Sequence, residues 1–399
     1  MQKAREALVS IVYVYFFLCI VLIPFQYFIL PWQRHVSDVL FGQLIRSLAL
    51  FIPINIRYNE ISSDSASMYL LLLVLLMLTT GIGLLFYFFI KSRDKLYLFL
   101  RSFFTYFLAL QLLKYGFDKI FKAQFYLPEP NTLYTPLGQL SKDLLFWSTI
   151  GVSHSYNVFT GLAEVIPAIL LLFKRTRILG LLWSAVVLIN IVAINFSFDI
   201  SVKLYSIFLL LITVVLLFPQ LQYLFEFLVI QKNASLKAES ETVALPIWFK
   251  VSLKIFIIGL IFLEALYPYL RSGDFNDDNA KRPYLHGAYE VRSYCVNVDT
   301  MNISRSPMKR FFIHRMGYFI VQDQSDKMQD YKLQIDSVTH IILLTDGELN
   351  RRYFQYEYHL KDSTLILKDE KEIIKAKILD WQKLPALQND FHWTIDQVK

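Results

Sequence analysis

The sequence is poor in charged residues and in cysteine. Only 18% of its 399 residues are charged, whereas 55% are hydrophobic, and the mean hydropathy is +0.42. Water-soluble domains seldom have this balance, which is typical of proteins with several membrane helices. The two cysteines, Cys19 and Cys295, form no CxxC motif, and the first lies in an apolar segment while the second lies in a polar region. We therefore expect no disulfide between them and no thiol–disulfide exchange by this chain alone.

Motifs for nucleotides, hydrolysis and metals are also missing. The sequence contains no Walker loop, no GxGxxG and no GxSxG, so nucleotide use and serine hydrolysis have no support. None of the seven histidines lies in mid-membrane or has HxxxH or HxxE spacing, so neither a haem in the bilayer nor a metal site is predicted. The net charge of +7 comes mostly from basic clusters beside apolar segments, which meet anionic lipid rather than nucleic acid.

What the sequence does contain is apolar segments close to the length of about 20 residues that is needed to cross a bilayer. Seven of them run roughly over 8–30, 68–90, 96–114, 158–173, 178–198, 204–221 and 248–270. The first follows Lys3 and Arg5 as a signal peptide would. It is too long for one and ends at Pro31 without a small-residue cleavage site, so we interpret it as a membrane helix. The sequence thus predicts a mainly helical membrane bundle of about seven transmembrane helices.

The basic residues of the short loops predict how this bundle is oriented. They precede the first apolar segment and join the second to the third, the fourth to the fifth and the sixth to the seventh. They are Lys3, Arg5, Lys91, Arg93, Lys95, Lys174, Arg175, Arg177, Lys232 and Lys237. If seven helices alternate in direction, all of these lie on one side, which the positive-inside rule assigns to the cytoplasm. We therefore predict a multi-pass protein of the cell inner membrane with a cytoplasmic N-terminus and a periplasmic C-terminal domain.

Two outer loops are long, and the composition changes after about Arg271. In the loop 31–67, the apolar stretch 39–54 is short and interrupted, which favours a helix lying in the interface or re-entering the bilayer. The loop 115–157 combines an extended proline-containing part with a short amphipathic piece. The predicted domains are N-terminal membrane helices with their outer loop at 1–95, a four-helix membrane core at 96–230, the last transmembrane helix at 231–273 and a β domain at 274–399.

The β domain is predicted from short runs of β-branched and aromatic residues that alternate with period two. The runs include Tyr289–Val298, Phe311–Val321, Ile341–Leu344, Tyr353–Tyr358, Thr364–Leu367 and Ile373–Ile378. Turn residues such as Asp346-Gly347 separate them. The pattern predicts six to eight antiparallel strands that form either a small barrel or a sandwich.

Charged and amide side chains lie inside or at the ends of the apolar segments between residues 111 and 206. An ionisable group in hydrocarbon costs several kcal/mol, so such groups usually face a bundle interior and often mark a functional site. The predicted topology brings them together in the outer half of the bundle. The candidate ligand-binding residues are Lys114, Tyr115, Asp118, Lys119, Glu164, Asn190, Asn195, Asp199 and Lys203. No catalytic residue can be assigned among them from the sequence.

Two hypotheses account for these residues. In the functional one, Glu164 carries a proton or accepts a ligand, while Lys114, Lys119 and Lys203 bind an anionic or carbonyl oxygen such as that of a quinone headgroup. In the structural one, Glu164 pairs with a lysine, Asp199 pairs with Lys203, and the asparagines form interhelical hydrogen bonds. A proline three residues after Glu164 would free a backbone carbonyl beside it, which fits either a cavity or a simple kink.

Three stretches within these segments carry a family resemblance. They are Tyr115–Phe125 (YGFDKIFKAQF), Phe159–Val165 (FTGLAEV) and Asn195–Ser206 (NFSFDISVKLYS). Over roughly 96–230 the chain resembles the DoxX/DoxD-like superfamily of membrane proteins. Its overall plan and the ending Phe391-His-Trp393 are similar to longer Bacteroidetes-type members. The resemblance implies a four-helix unit and a link to membrane redox, because some relatives are subunits of thiosulfate:quinone oxidoreductases and others associate with oxidative-stress proteins.

These observations lead to more than one functional hypothesis. The first is an integral membrane subunit of a redox system that binds quinone in the polar cluster. The alternative is a non-enzymatic membrane anchor or scaffold whose outer β domain binds an envelope protein or lipid. Transport is a third class, supported only by the polar cluster and the proline kink, since the sequence shows no inverted repeat. The lipid bilayer is the one partner common to all three.

Overall fold

The computed structural model describes residues 2–23, 33–49, 61–89, 93–231, 246–296, 306–388 and 393–394. Within these ranges the chain forms eleven α-helices followed by eight β-strands. The helices are α1 (Gln2–Leu22), α2 (Gln33–Ala49), α3 (Ala66–Phe89), α4 (Arg93–Ile120), α5 (Pro130–Leu133), α6 (Lys142–Gly151), α7 (His154–Leu171), α8 (Arg177–Ser197), α9 (Lys203–Leu217), α10 (Leu221–Leu228) and α11 (Ile247–Ser272). Part of the interfacial or re-entrant helix predicted at 39–54 coincides with α2, and the rest lies outside the described residues.

Four helical stretches are long and apolar enough to cross a membrane. They are Ala66–Phe89, Asp94–Ile120, Arg177–Ser197 and Lys203–Leu228. In the described part of α1, Glu6–Leu22 is a shorter apolar helix. The helices α7 and α11 occupy two further predicted segments but are not among the four. The four stretches are compatible with a membrane protein, and the count of seven spans stays a prediction.

The helices pack around two apolar cores and also present apolar outer faces. The larger core joins Tyr13 of α1, Phe104 of α4, Leu188 of α8 and Ile212 of α9, all nearly inaccessible to solvent, and the smaller one lies between α1, α2 and α3. On the outside, large side chains such as Phe89 are mostly exposed. A helix that is apolar on every side fits hydrocarbon surroundings better than water, because the buried stripe alone would suffice for a soluble bundle.

The C-terminal strands close into an eight-stranded antiparallel barrel. They are β1 (Gly287–Val296), β2 (Met308–His314), β3 (Tyr318–Asp323), β4 (Met328–Asp336), β5 (Ile341–Thr345), β6 (Arg351–His359), β7 (Thr364–Lys368) and β8 (Glu372–Leu379). Each strand pairs with the next, and β1 pairs with β8, so the sheet has no free edge. Alternate residues such as Tyr289, Phe311 and Phe354 fill the interior, as the period of two requires. The predicted antiparallel β domain is confirmed, and it is the barrel alternative that occurs.

Two details of the barrel differ from the sequence prediction. The run Phe311–Val321, predicted as one strand, contains the end of β2, a turn and most of β3, because Gly317 adopts a left-handed conformation with φ of +74° and reverses the chain. Strand β4 was not predicted. Its sequence, MQDYKLQID, alternates but is mostly polar, and its side chains are only partly buried or exposed. A strand with so few large apolar residues gives a weak pattern.

The described chain divides into two compact units. The helical unit comprises residues 1–124 and 155–275, and the barrel unit comprises 125–154 and 276–399. Segment 125–154, which the sequence analysis placed inside the 96–230 membrane core, therefore packs with the barrel. Pairs of oppositely charged residues and a second apolar core hold it there.

That second core lies on the outer face of β1–β3. Leu127, Leu133 and Tyr134 of segment 125–154 cover Phe312 and its neighbours, together with the short turn that contains Trp381. The rings of Tyr134 and Phe312 stack with centroids 5.9 Å apart. Apolar residues on both faces of these strands are therefore buried, one set inside the barrel and the other under segment 125–154.

Candidate functional site

The polar cluster of the helical unit is built around a close crossing of α4 and α7. A Cβ atom on Gly116 would lie 2.6 Å from a methyl of Val165 and 2.9 Å from the carbonyl oxygen of Gly161. A Cβ on Gly161 would in turn lie 2.6 Å from the carbonyl oxygen of Gly116. Only glycine fits at both positions, and small residues are what lets membrane helices approach so closely. The crossing brings Lys119 and Glu164, three residues further along each helix, into reach of one another.

Lys119 and Glu164 form a buried ion pair. The ammonium nitrogen of Lys119 lies 2.8 Å from Oε1 of Glu164, and the two residues are only 7% and 2% exposed. The same ammonium lies 5.7 Å from the centre of the Tyr115 ring, within the range of a cation–π contact. Because two opposite charges are removed from water together, their attraction offsets the desolvation that either would suffer alone.

Helix α11 supplies partners for the remaining groups on α4. Lys114 lies 3.5 Å from Oε1 of Glu264, and the hydroxyl of Tyr269 donates a hydrogen bond to Asp118. Glu264 and Tyr269 are both buried. Neither residue was among the candidate ligand-binding residues of the sequence analysis.

The groups on α8 and α9 form a separate set of contacts. The amide of Asn195 donates to Ser206 Oγ at 3.0 Å, and Lys203 lies 2.8 Å from Asp199. Asp64, in the turn before α3, accepts hydrogen bonds from the backbone N–H groups of Lys203 and of the next residue, both at 2.9 Å. Asp64 therefore caps the N-terminus of α9, a role that the sequence did not reveal because the cap comes from a distant loop.

Asn190 is the one predicted site residue that the structure places elsewhere. Its side chain is exposed on the outer surface of α8, whereas Asn195, five residues later on the same helix, is buried. Asp199 is also mostly exposed and lies at the end of its helix with a φ of +52°. Tyr115 packs against Tyr205 of α9, with ring centroids 5.7 Å apart, and so lies between the two sets of contacts.

Two buried polar atoms of the cluster have no hydrogen-bond partner within the described residues. They are Oε2 of Glu164 and Nε2 of Gln111. The pairing of Glu164 is therefore incomplete, since one oxygen binds Lys119 and the other faces no donor. An unpaired carboxylate oxygen at this depth could accept a proton or a ligand hydrogen. Among the described residues, no group of three or more His, Cys, Asp or Glu side chains is arranged to hold a metal ion.

A second charged cluster lies in the barrel unit and was not predicted. Glu129 of segment 125–154 is almost fully buried, with Oε1 at 2.5 Å from Nε of Arg315 and Oε2 at 2.8 Å from the ring of His286. Arg315 also binds Asp277 at 2.7 Å and lies over the ring of Tyr126 at 4.2 Å. No sequence pattern predicts this cluster, because its members come from four separate stretches of chain.

The electrostatics of Glu129 show how strongly this cluster is coupled. Burial by itself raises the pKa of the Glu129 carboxyl. Hydrogen bonds and charges from His286 and Arg315 outweigh that effect and lower the pKa to about 2. Burial alone would lower the pKa of Arg315, but its bonds to Glu129 and Asp277 raise it above its usual value. Glu129 and Arg315 therefore stay ionised at neutral pH, and the cluster fastens segment 125–154 to the start of β1 and to the turn after β2.

Comparison with known proteins gives limited further information. No family model matches the chain, and no solved structure matches it. Over 123 residues the chain is 35% identical to the uncharacterized protein YwoB of Bacillus subtilis (strain 168), a match that covers 29% of this chain and 72% of that protein. The resemblance to DoxX/DoxD-like proteins is not addressed by these comparisons and stays a prediction. By its identity and its coverage of YwoB, the chain belongs to the same protein family as that Bacillus protein.

Proposed function

We propose that the protein is a multi-pass inner-membrane protein that works as a non-enzymatic anchor, holding its barrel unit in the periplasm to bind an envelope protein or lipid. One observation carries this proposal. The buried charges of the helical unit pair with one another, Lys119 with Oε1 of Glu164 and Lys114 with Oε1 of Glu264. This is the arrangement of the structural hypothesis, in which charges serve to specify how the helices pack.

The proposed topology has seven spans, formed by α1, α3, α4, α7, α8, α9 with α10, and α11. Four of these are apolar enough by themselves, and the positions of the basic loops support a cytoplasmic N-terminus. The spans α7 and α11, which are not among the four, carry charged residues that face partners on α4. The topology is tested by labelling single cysteines with a membrane-impermeant maleimide in intact spheroplasts. A cysteine at 326, in the turn after β3, is expected to react and one at 175, after α7, is expected not to react.

The anchor role is tested with paired apolar replacement in the full-length protein. In Lys119→Met/Glu164→Leu both charges disappear together, so no buried charge is left without a partner. If the pair only organises the bundle, the double variant is expected to insert, to purify as a monodisperse protein and to complement a deletion strain as well as the wild type. Loss of complementation by a well-folded double variant would show that the charges do more than hold the helices.

A second candidate is quinone binding by a membrane redox subunit, and one observation favours it. The free Oε2 of Glu164 is a buried acceptor without a donor, as a site for a hydroquinone hydroxyl would need. The similarity of 96–230 to DoxX/DoxD-like proteins supports the same idea. The test is mass spectrometry of isoprenoid quinones extracted from gently purified wild-type protein and from Glu164→Gln. Stoichiometric quinone that is lost in the variant would establish this candidate and overturn the anchor proposal. Quinone-free wild-type protein would remove it.

A further inference from the structure

The two ends of the barrel differ in how the chain enters and leaves them. Because the strands alternate in direction, the turns 315–317, 337–340 and 360–363 lie at one end, together with the residues that precede β1. We call this the linker end. The turns 324–327, 346–350 and 369–371 lie at the opposite end, which we call the far end. Most of the β1–β2 connection lies outside the described residues.

All three places where the chain passes from the barrel unit to the membrane helices are at the linker end. The link from α11 arrives at His286, directly before β1. The link from α4 arrives at Tyr126, whose ring lies 4.2 Å from Arg315 in the turn after β2. The link to α7 leaves after Gly151, where a Cβ atom would lie 2.3 Å from the carbonyl oxygen of Tyr126. All three covalent connections to the helical unit therefore leave the barrel unit at this one end.

The turns of the linker end each carry one large apolar side chain at the tip. Met316, Val338 and Leu360 are 71%, 86% and 81% exposed, respectively. A single exposed apolar residue needs no explanation, but three at the tips of three turns on the same end form a repeated feature. Of the far-end turns that the structure describes, two have only polar tips, and the third carries Leu349, which is 75% exposed.

Charge separates the two ends as well. The described far-end turns contain Asp326, Lys327, Asp346, Glu348, Asp369, Glu370 and Lys371, an acidic set suited to water. At the linker end, Lys361 and Asp362 offset each other, and Arg315 is neutralised by Glu129 and Asp277. Attraction to anionic lipid therefore contributes little to lipid binding at this end. The turn tips can bind lipid mainly through apolar contact.

From these observations we propose that the linker end of the barrel inserts Met316, Val338 and Leu360 into the interfacial layer of the outer leaflet. The inference rests on the proposed membrane anchorage and names lipid as what this surface binds. Side chains at an interface need enter only the boundary between headgroups and acyl chains, about 5–10 Å deep, which the tips of short turns can reach. In the proposed anchorage the linker end is tethered to the membrane helices by three chain links, so insertion costs little further loss of freedom.

The test places one fluorophore at a time in full-length protein reconstituted in phosphatidylcholine vesicles. In a Cys19→Ala/Cys295→Ala background, Met316→Cys, Val338→Cys and Leu360→Cys are each labelled with an environment-sensitive dye. Leu349→Cys is the matched control, since it is equally exposed and apolar but lies at the far end. Size-exclusion profiles confirm that each labelled variant is folded.

At the three tips we expect blue-shifted emission, strong quenching by nitroxide-labelled lipid and weak quenching by aqueous iodide, with the reverse at 349. The result should not change when anionic lipid is added. Tips that behave like position 349, or a dye at 349 that is quenched by lipid as strongly as the tips, would overturn the inference. If a protein partner covered the tips instead, the dyes would be quenched by aqueous iodide in pure lipid vesicles and protected from it only in native membranes. That result would also overturn the inference. The dye measurements decide only the lipid contact of the linker end. The anchor proposal is decided separately, by bound quinone and by complementation.

Discussion

Removing one partner of the buried Lys119–Glu164 pair should destabilise the helical unit far more than removing both. At 2.8 Å, two unit charges attract by about 6 kcal/mol at an effective dielectric constant of about 20. Desolvation of both groups consumes much of that gain. In Glu164→Gln the ammonium of Lys119 keeps its desolvation cost but loses its counter-charge. Such single losses from buried pairs cost about 3–5 kcal/mol, whereas paired apolar replacement is often neutral or stabilising.

The structure offers a matched control at the same distance. Asp199 and Lys203 are also 2.8 Å apart, but the Asp199 side chain is 83% exposed. An exposed pair contributes less than about 1 kcal/mol, so Asp199→Asn should change stability little. Comparing Glu164→Gln with Asp199→Asn isolates the effect of burial, because residue chemistry and nitrogen–oxygen distance are nearly the same.

The assay is reversible unfolding in mixed micelles, followed by intrinsic fluorescence and completed as a double-mutant cycle. Lys119→Met and Glu164→Leu are each expected to lose several kcal/mol, and the double variant is expected to fall close to wild type. If the double variant were as unstable as the sum of the single variants, the two charges would not stabilise each other. If Asp199→Asn cost as much as Glu164→Gln, burial would not be the deciding factor.

Three further outcomes are expected. The folded pKa of Glu129 is lowered from 4.5 to about 2, so this carboxylate contributes about 3 kcal/mol to the free energy of unfolding. The contribution is present above pH 4.5 and is lost as the pH falls toward 2. Glu129→Gln should abolish this part of the pH dependence of unfolding. Gly116→Ala should cost about 1–3 kcal/mol by overpacking in the same micellar assay, whereas Gly259→Ala, where a Cβ meets nothing within 4 Å, should be neutral or stabilising. Asp64→Ala should cost about 1 kcal/mol through loss of the α9 cap, and Asp64→Asn should cost less.

Ionisable groups stand out against apolar segments, and of the predicted charged residues Lys119 and Glu164 are buried, whereas Asp199 is mostly exposed. The sequence also predicted the contacts of the structural hypothesis, in which Glu164 binds a lysine, Asp199 binds Lys203 and an asparagine bonds between helices. It could not give the partners on α11, since no spacing rule connects residues about 150 positions apart. Asn190 was included because it lies in the same segment as Asn195, but a separation of five residues turns the two side chains to different sides of a helix.

In the barrel, strands with large alternating side chains were predictable and β4 was not. Its polar sequence is tolerated because neighbours on both sides fix it through backbone hydrogen bonds. The greatest difference concerns segment 125–154. Its position between two apolar segments predicted an outer loop. In the structure, Leu127, Leu133 and Tyr134 instead cover strands that follow about 160 residues later. Such long-range packing leaves no periodic signal in the sequence.

This interleaving has a consequence for biosynthesis. Segment 125–154 leaves the ribosome well before β1, so its apolar side chains have no surface to cover until residues 276–387 have been made. The barrel itself closes only when β8 pairs with β1, close to the end of the chain. A truncated polypeptide therefore displays both an open sheet edge and an uncovered apolar segment, the features that proteases and chaperones recognise. A domain expressed from residue 275 alone would lack the covering layer and expose Phe312 to solvent. The barrel unit is thus complete only when two stretches of chain that are synthesised far apart in time have both been made.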